Sequence, residues 1–203
     1  MFNNPNIIKL HNAGVFLYKN FITQEDRTTT VINIENLQDD KWTDKWPRVH
    51  GVNMDNRANN FFGGNFNKNW TLPIYTDEMK RINFNLKDVF GDKYLFLPEF
   101  KITRMINGQT LAAHKDHNVH DTEDDVLVGY VAYFNDFEGG EISYPEINFT
   151  YHPQAGDLIL HHGSLLHEVL PIKKGPRYTI AGECIKKEYF DKFAKNTYNI
   201  DRR

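Results

Sequence analysis

The chain has 203 residues with 24 basic and 27 acidic side chains, a formal net charge of −3, so no overall positive field exists to hold a polyanion and nucleic acid is not expected as a main partner. Its 40% hydrophobic and 14% aromatic content excludes global disorder and is enough for one domain with a single core. The longest apolar runs, such as residues 126–133, fall far short of the ~20 residues that a membrane span requires, so no membrane crossing is expected.

Residues 1–10 contain no basic segment followed by an apolar stretch, and a secretion signal is not expected. Thr23, with Asp26 three residues on, is a candidate N-cap and predicts the start of a helix. Asparagine occurs 22 times, seven of them between Asn53 and Asn69, and residues 42–70 read as a long surface loop or several turns. Within it Gly51–Trp70, with Arg57, Phe61, Phe62 and Trp70, is a candidate substrate-facing lid; a surface insertion is the alternative. Apolar groups at 79, 82, 86, 89 and 90 recur with the helical period and predict a helix over 76–90, ended by Gly91.

From about Leu95 the pattern changes to short apolar or alternating runs between Asn, Gly and Pro turns. Strands are predicted at 99–106, 110–114, 126–134, 141–144, 148–151, 157–161, 166–170 and 177–185. So many short strands indicate a sandwich or barrel of two sheets. Residues 186–195 are compatible with a charged amphipathic helix packing Phe190 and Phe193. The expected class is α+β, a single domain with a helical and loop support region at 1–98, a β core at 99–186 and a C-terminal helix in 187–203. Cys184 stands alone, which excludes an internal disulfide and a cysteine-based zinc site and fits a reducing, cytoplasmic compartment.

His114 and Asp116 are two residues apart, and on a strand such residues share a face. His167 alternates with Val169 on a later strand and can project inward from the facing sheet. Two imidazoles and one carboxylate occupy one face of an octahedron, the donor choice of non-haem Fe(II) oxygen chemistry; zinc hydrolysis also fits the ligands alone. His161 and His162 compete with His167 for the third place, and core or turn roles are expected for both. His117, His120 and His152 lie in polar contexts and are expected to be solvated, with a supporting position beside the metal as an alternative for His117. Arg177, ten residues after His167, is placed to enter the next strand, where an inward guanidinium requires an anion. The acidic run 121–125 reads as a solvated loop lip, with attraction of a basic peptide as the alternative.

Over residues 99–186 these motifs together resemble the Fe(II)- and 2-oxoglutarate-dependent dioxygenases, and within them the prolyl 4-hydroxylase-like group. The resemblance rests on Asn107-Gly108-Gln109, on His114-x-Asp116, on the segment from Tyr133 through Gly139-Gly140 to Pro145, on Gly156-Asp157, and on His167 to Pro171 followed by Gly175-x-Arg177. It implies a double-stranded β-helix, or jelly roll, with iron at its open end held by His114, Asp116 and His167. It implies that Arg177 grips the far carboxylate of 2-oxoglutarate and that the Tyr133 phenol adds a hydrogen bond to it. The implied cofactors are Fe(II), 2-oxoglutarate as cosubstrate and O2, with ascorbate as an optional addition.

Departures from that pattern bear on the pocket. Met105 and Leu111 stand where the group commonly has aromatic residues, Ile142 where Thr often follows Gly-Gly-Glu, and Gly182-Glu183-Cys184 where Trp is frequent. Retention of Asp116 argues against a halogenase-type site. Glu183 stands where nucleic-acid demethylases of this kind carry a second Arg. The expected activity is hydroxylation of a C–H bond, first of a prolyl residue in a protein or peptide, with release of succinate and CO2. Hydroxylation of another side chain or a small metabolite is the alternative within enzymes. A jelly-roll binding module with structural histidines is the reading outside them.

Overall fold

The computed structural model describes residues 4–36, 59–63, 89–90, 93–116 and 127–189. In chain order its strands are β1 (Ile7–His11), β2 (Val15–Tyr18), β3 (Asn59–Gly63), β4 (Tyr94–Met105), β5 (Leu111–His114), β6 (Leu127–Tyr133), β7 (Glu138–Gly139), β8 (Ile142–Tyr144), β9 (Phe149–Tyr151), β10 (Leu158–His162), β11 (His167–Val169), β12 (Ile172–Lys174) and β13 (Arg177–Lys186). The helix α1 spans Gln24–Glu35. A seven-stranded sheet runs β1-β2-β10-β6-β13-β4-β3, a four-stranded sheet runs β5-β11-β8-β9, and β12 pairs with β7. The fold is therefore mostly β with few helices among the described residues.

The central strands β6 and β10 are buried along nearly their whole length, as expected of strands covered on both faces. Alternation divides their side chains between two cores. Val128, Tyr130, Ala132, Leu158 and Leu160 join Phe21, Ile34, Val89 and Phe90 in an outer core on the α1 side of the sheet. Tyr133 and Ile159 join Val15, Leu17, Ile142 and Tyr144 in an inner core between the two sheets. Thr23 caps α1 as the sequence predicts: its hydroxyl accepts the Asp26 N–H at 3.2 Å, and Glu25 and Asp26 occupy the first turn, where the helix dipole favours them.

The expected support region, 1–98, differs from the structure. Its first described segment is a β-hairpin, turned at Gly14 with φ +99°, and β2 pairs with β10 in the main sheet. Val15–Leu17 are buried on both faces, Phe16 in the outer core and its neighbours in the inner one, so this strand reads as an unpatterned apolar run. The division at 98/99 is crossed as well, because β4 begins at Tyr94. Inside the candidate lid, residues 59–63 form an edge strand against β4, with Phe61 opposite Ile102; the remainder of 51–70 lies outside the described residues. Of the helix expected over 76–90, residues 89 and 90 are described and helical. Of the C-terminal helix, residues 187–189 are helical and the rest, with Phe190 and Phe193, lies outside the described residues.

Candidate metal centre

The small sheet sets the two imidazoles side by side. His114 closes β5 and lies opposite His167, which opens β11, and their ring centroids are 4.4 Å apart. Asp116 is not on the strand, as the i to i+2 argument supposed, but in the bend that follows it. That bend still returns its carboxylate to the rings: Oδ1 lies 3.9 Å from His114 Nε2 and 3.6 Å from His167 Nε2. One donor atom from each of the three residues falls within 4.8 Å of the others.

Backbone contacts select the nitrogen that each ring offers. His114 Nδ1 is 2.9 Å from the Ala112 carbonyl and His167 Nδ1 is 2.9 Å from the Leu165 carbonyl. A carbonyl only accepts, so each Nδ1 carries a hydrogen, and in the neutral ring that metal binding requires this leaves the Nε2 lone pair on the side of Asp116. Burial pushes the Asp116 carboxyl up, but His167, the hydrogen bond from His161 and His114 outweigh it and hold the group well below the usual carboxylate range. One anionic oxygen and two neutral imidazole nitrogens make a donor set suited to a divalent cation, so these residues fit the iron that the motifs imply.

A row of residues across the main sheet closes the site from behind. His161 of β10 lies opposite Gly129 of β6, which lies opposite Glu183 of β13. His161 is 1% exposed; its Nε2 is 3.1 Å from Asp116 Oδ2 and its Nδ1 is 3.0 Å from the Tyr144 hydroxyl. Burial, with Tyr133 and Asp116 nearby, holds the Tyr144 phenol well above its ordinary value, so it keeps its proton and donates. The buried position of His161 agrees with the sequence reading, which missed its contact with Asp116. His162 faces the other side of the strand, 6.3 Å from Phe16 and over Gly14, in the expected packing role. His152 is half exposed and 3.6 Å from Glu141. His117, His120 and residues 121–125 lie outside the described residues.

Gly129, which the sequence presents only as an interruption in an apolar run, is required by this row. A Cβ there would lie 2.5 Å from both Asp116 Oδ2 and His161 Nε2. Gly129→Ala should therefore displace the Asp116 side chain, at a stability cost of about 1–3 kcal/mol for overpacking, and weaken Fe(II) binding about tenfold or more. Metal titration of the folded variant tests this, and wild-type affinity contradicts it.

Arg177 opens β13 opposite Met105 and lines the same cavity as His114, Asp116 and His167. It is 3% exposed, yet among the described residues no carboxylate pairs with it. Its Nη1 is 3.3 Å from Met105 Sδ and its Nη2 donates to the Tyr133 hydroxyl at 3.4 Å. Its Cζ lies 5.0 and 5.5 Å from the Tyr133 and Phe137 ring centroids, and Nε has no hydrogen-bond partner. Burial lowers its pKa while Tyr133 opposes that shift, and the phenol of Tyr133 is itself pushed up by burial. A buried cation with an orphaned N–H and no counterion is costly, and an anionic ligand arm would relieve that cost.

Two asparagines fix the backbone on either side of Arg177. Asn107 Oδ1 accepts the Gly175 N–H at 2.7 Å, while the Asn135 side chain donates to Pro176 O at 2.6 Å and accepts the Tyr178 N–H at 2.9 Å. The Asn107-Gly108-Gln109 motif thus acts through the backbone of the Arg177 turn, with Gly108 N donating to Ile172 O and Gln109 O accepting Ile172 N.

Residues 100–182 match the family description "2OG-Fe(II) oxygenase superfamily". No curated protein matches by sequence. Among solved structures, the viral collagen prolyl hydroxylase of Paramecium Bursaria Chlorella virus-1, in its 2OG complex, is 17% identical, with 86% of this chain and 97% of that chain covered and a TM-score of 0.57. A Pseudomonas putida prolyl-4-hydroxylase is 14% identical over 87% of this chain and 94% of its own, with a TM-score of 0.58. A prolyl hydroxylase from Trichoplax adhaerens, in complex with a hypoxia inducible factor oxygen degradation domain peptide fragment, is 15% identical over 94% and 89%, with a TM-score of 0.65. At these identities the likeness is one of fold.

Proposed function

We propose that this chain, a member of the 2OG-Fe(II) oxygenase superfamily through residues 100–182, hydroxylates a prolyl residue in a protein or peptide. The superfamily uses Fe(II) and 2-oxoglutarate, and the bound pair with O2 supplies the chemistry that converts C–H to C–OH while 2-oxoglutarate becomes succinate and CO2. His114, Asp116 and His167 are assigned to the metal within a double-stranded β-helix core. Arg177 is assigned to the far carboxylate of 2-oxoglutarate, with Tyr133 beside it. The observation that carries the oxygenase reading is the convergence of these three donors and one unsatisfied buried guanidinium on a single cavity.

In this reading the protein binds and orients, and the cofactor carries the difficult chemistry. Arg177 fixes one end of the cosubstrate, the triad fixes the other, and the apolar walls Met105, Ile142 and Val169 exclude water between them. The prolyl assignment is supported by the prolyl hydroxylases among the structural neighbours, one of them solved with a peptide. A cytoplasmic location belongs to the same proposal and is supported by the lone, buried thiol of Cys184. The test is succinate formation from 2-oxoglutarate with Fe(II) and O2, coupled to gain of one oxygen atom by proline-containing peptides in mass spectrometry. Succinate formed without peptide oxidation across a broad library overturns the prolyl assignment.

One observation favours the second reading, hydroxylation of another side chain or a small metabolite. Glu183 lines the cavity in the row of Gly129, beside the triad, and its carboxylate would suit a substrate with a cationic group near the reacting carbon. Under that reading Glu183→Gln raises KM for a cationic substrate about tenfold, the worth of one charged hydrogen bond, and leaves KM for 2-oxoglutarate unchanged. An unchanged KM for both removes this support.

A further inference from the structure

The two oxygens of Asp116 have different surroundings. Oδ1 is the oxygen that meets His114 Nε2 and His167 Nε2, at 3.9 and 3.6 Å, whereas Oδ2 meets His161 Nε2 at 3.1 Å. The carboxylate only accepts, so His161 Nε2 must donate, which leaves Nδ1 to accept from the Tyr144 hydroxyl at 3.0 Å. Tyr144 is fully buried at 0% exposed, and its ring meets that of His161 edge-on, with centroids 5.7 Å apart. Both elements are anchored independently: His161 lies in the middle of the main sheet and Tyr144 ends β8 of the small one. The chain Tyr144–His161–Asp116 therefore ties the two sheets together at the metal centre.

We propose that His161, oriented by Tyr144, is a positioning residue that engages Asp116 Oδ2 and restricts Asp116 to one metal-binding oxygen. The consequence is a matter of counting. Three protein donors fill three of six octahedral positions, and a two-point 2-oxo acid leaves one. A carboxylate binding through both oxygens would fill that last position. The hydrogen bond to His161 holds Oδ2 out of the coordination sphere and keeps one position available.

This inference rests on the oxygenase reading and is tested separately from it. The full-length protein, freed of metal, is titrated with Co(II) alone and then with 2-oxoglutarate without oxygen, reading affinity and the visible spectrum, which responds to coordination number. Wild type and His161→Gln, whose amide can donate from the place of Nε2, are expected to give matching spectra. His161→Phe is expected to retain one Co(II) with a spectrum shifted toward higher coordination, and to lose roughly 10–100-fold in affinity or succinate formation, the usual range for a partner of a metal ligand. Tyr144→Phe removes only a hydroxyl and is expected to shift the spectrum in the same direction by less. It carries the test if His161→Phe does not fold. Spectra of His161→Phe or Tyr144→Phe identical to wild type, or a His161→Gln spectrum displaced as far as that of His161→Phe, overturn the inference. Wild-type protein that takes up no Co(II) overturns the oxygenase reading itself.

Discussion

His167→Ala is expected to lower succinate formation about 10³-fold or more while leaving the protein folded, because it removes one of three candidate metal donors from a site with no replacement in reach among the described residues. The nearest other imidazole among the described residues, that of His161, has both nitrogens engaged, by Tyr144 and by Asp116. It cannot take the vacant place without breaking both bonds. The structural cost is smaller. His167 pairs through its backbone with His114 of β5, and its neighbours Glu168 and Val169 pair with β8, ladders that a substitution at Cβ leaves intact. The loss should therefore appear in metal titration before it appears in thermal unfolding. His162→Ala is the matched control: that ring packs by Phe16 and over Gly14, so its removal should lower stability and leave metal affinity unchanged.

Arg177→Leu is expected to raise KM for 2-oxoglutarate about 10²–10⁴-fold, from the 3–5 kcal/mol range for removing one partner of a buried charge pair. Among the described residues lining the cavity Arg177 is the one Lys or Arg, so under the proposed assignment the far carboxylate has no other such cation to meet. Arg177→Lys should recover only part of the loss, because an ammonium cannot reproduce the planar fork that reaches Met105 and Tyr133. The free protein should behave in the opposite way. With no counterion in the described structure and an orphaned Nε, Arg177 costs stability in the absence of ligand, so Arg177→Leu should unfold at an equal or higher temperature than ligand-free wild type. Added to the metal-loaded protein, 2-oxoglutarate should raise the melting temperature of wild type and not of the variant. A KM within threefold of wild type would remove Arg177 from the cosubstrate site.

The site was legible to the extent that its chemistry follows the chain. His114 and Asp116 are two residues apart, and a short strand with the bend after it brings them together whether or not both lie on the strand. Arg177 announced itself as a charge at the start of an apolar strand. What alternation within one strand does not reveal is register between strands. The place of His161 beside Asp116 depends on β10 pairing with β6 and on Gly129 leaving room between them. The composition around either residue carries no trace of that. Tyr144 is hidden for the same reason, as one more apolar ring in a short buried strand.

The fold was readable from residue 99 onward because turn residues bound each strand there. It was less readable before, where β1 and β2 form a hairpin whose second strand is covered on both faces and so lacks a period. The edge strand β3 lies in asparagine-rich sequence with little β preference of its own, and it follows the long template offered by the twelve residues of β4.

One divalent metal held jointly by His114, Asp116 and His167 is the assignment on which the other roles depend. Its most direct test is calorimetric titration of metal-free protein with Fe(II) under anaerobic conditions, with and without 2-oxoglutarate. The expected result is one Fe(II) per chain, tightened by 2-oxoglutarate, and loss of binding in His114→Ala, Asp116→Ala and His167→Ala but not in His162→Ala. Absence of iron uptake, or uptake that survives all three substitutions, would contradict it.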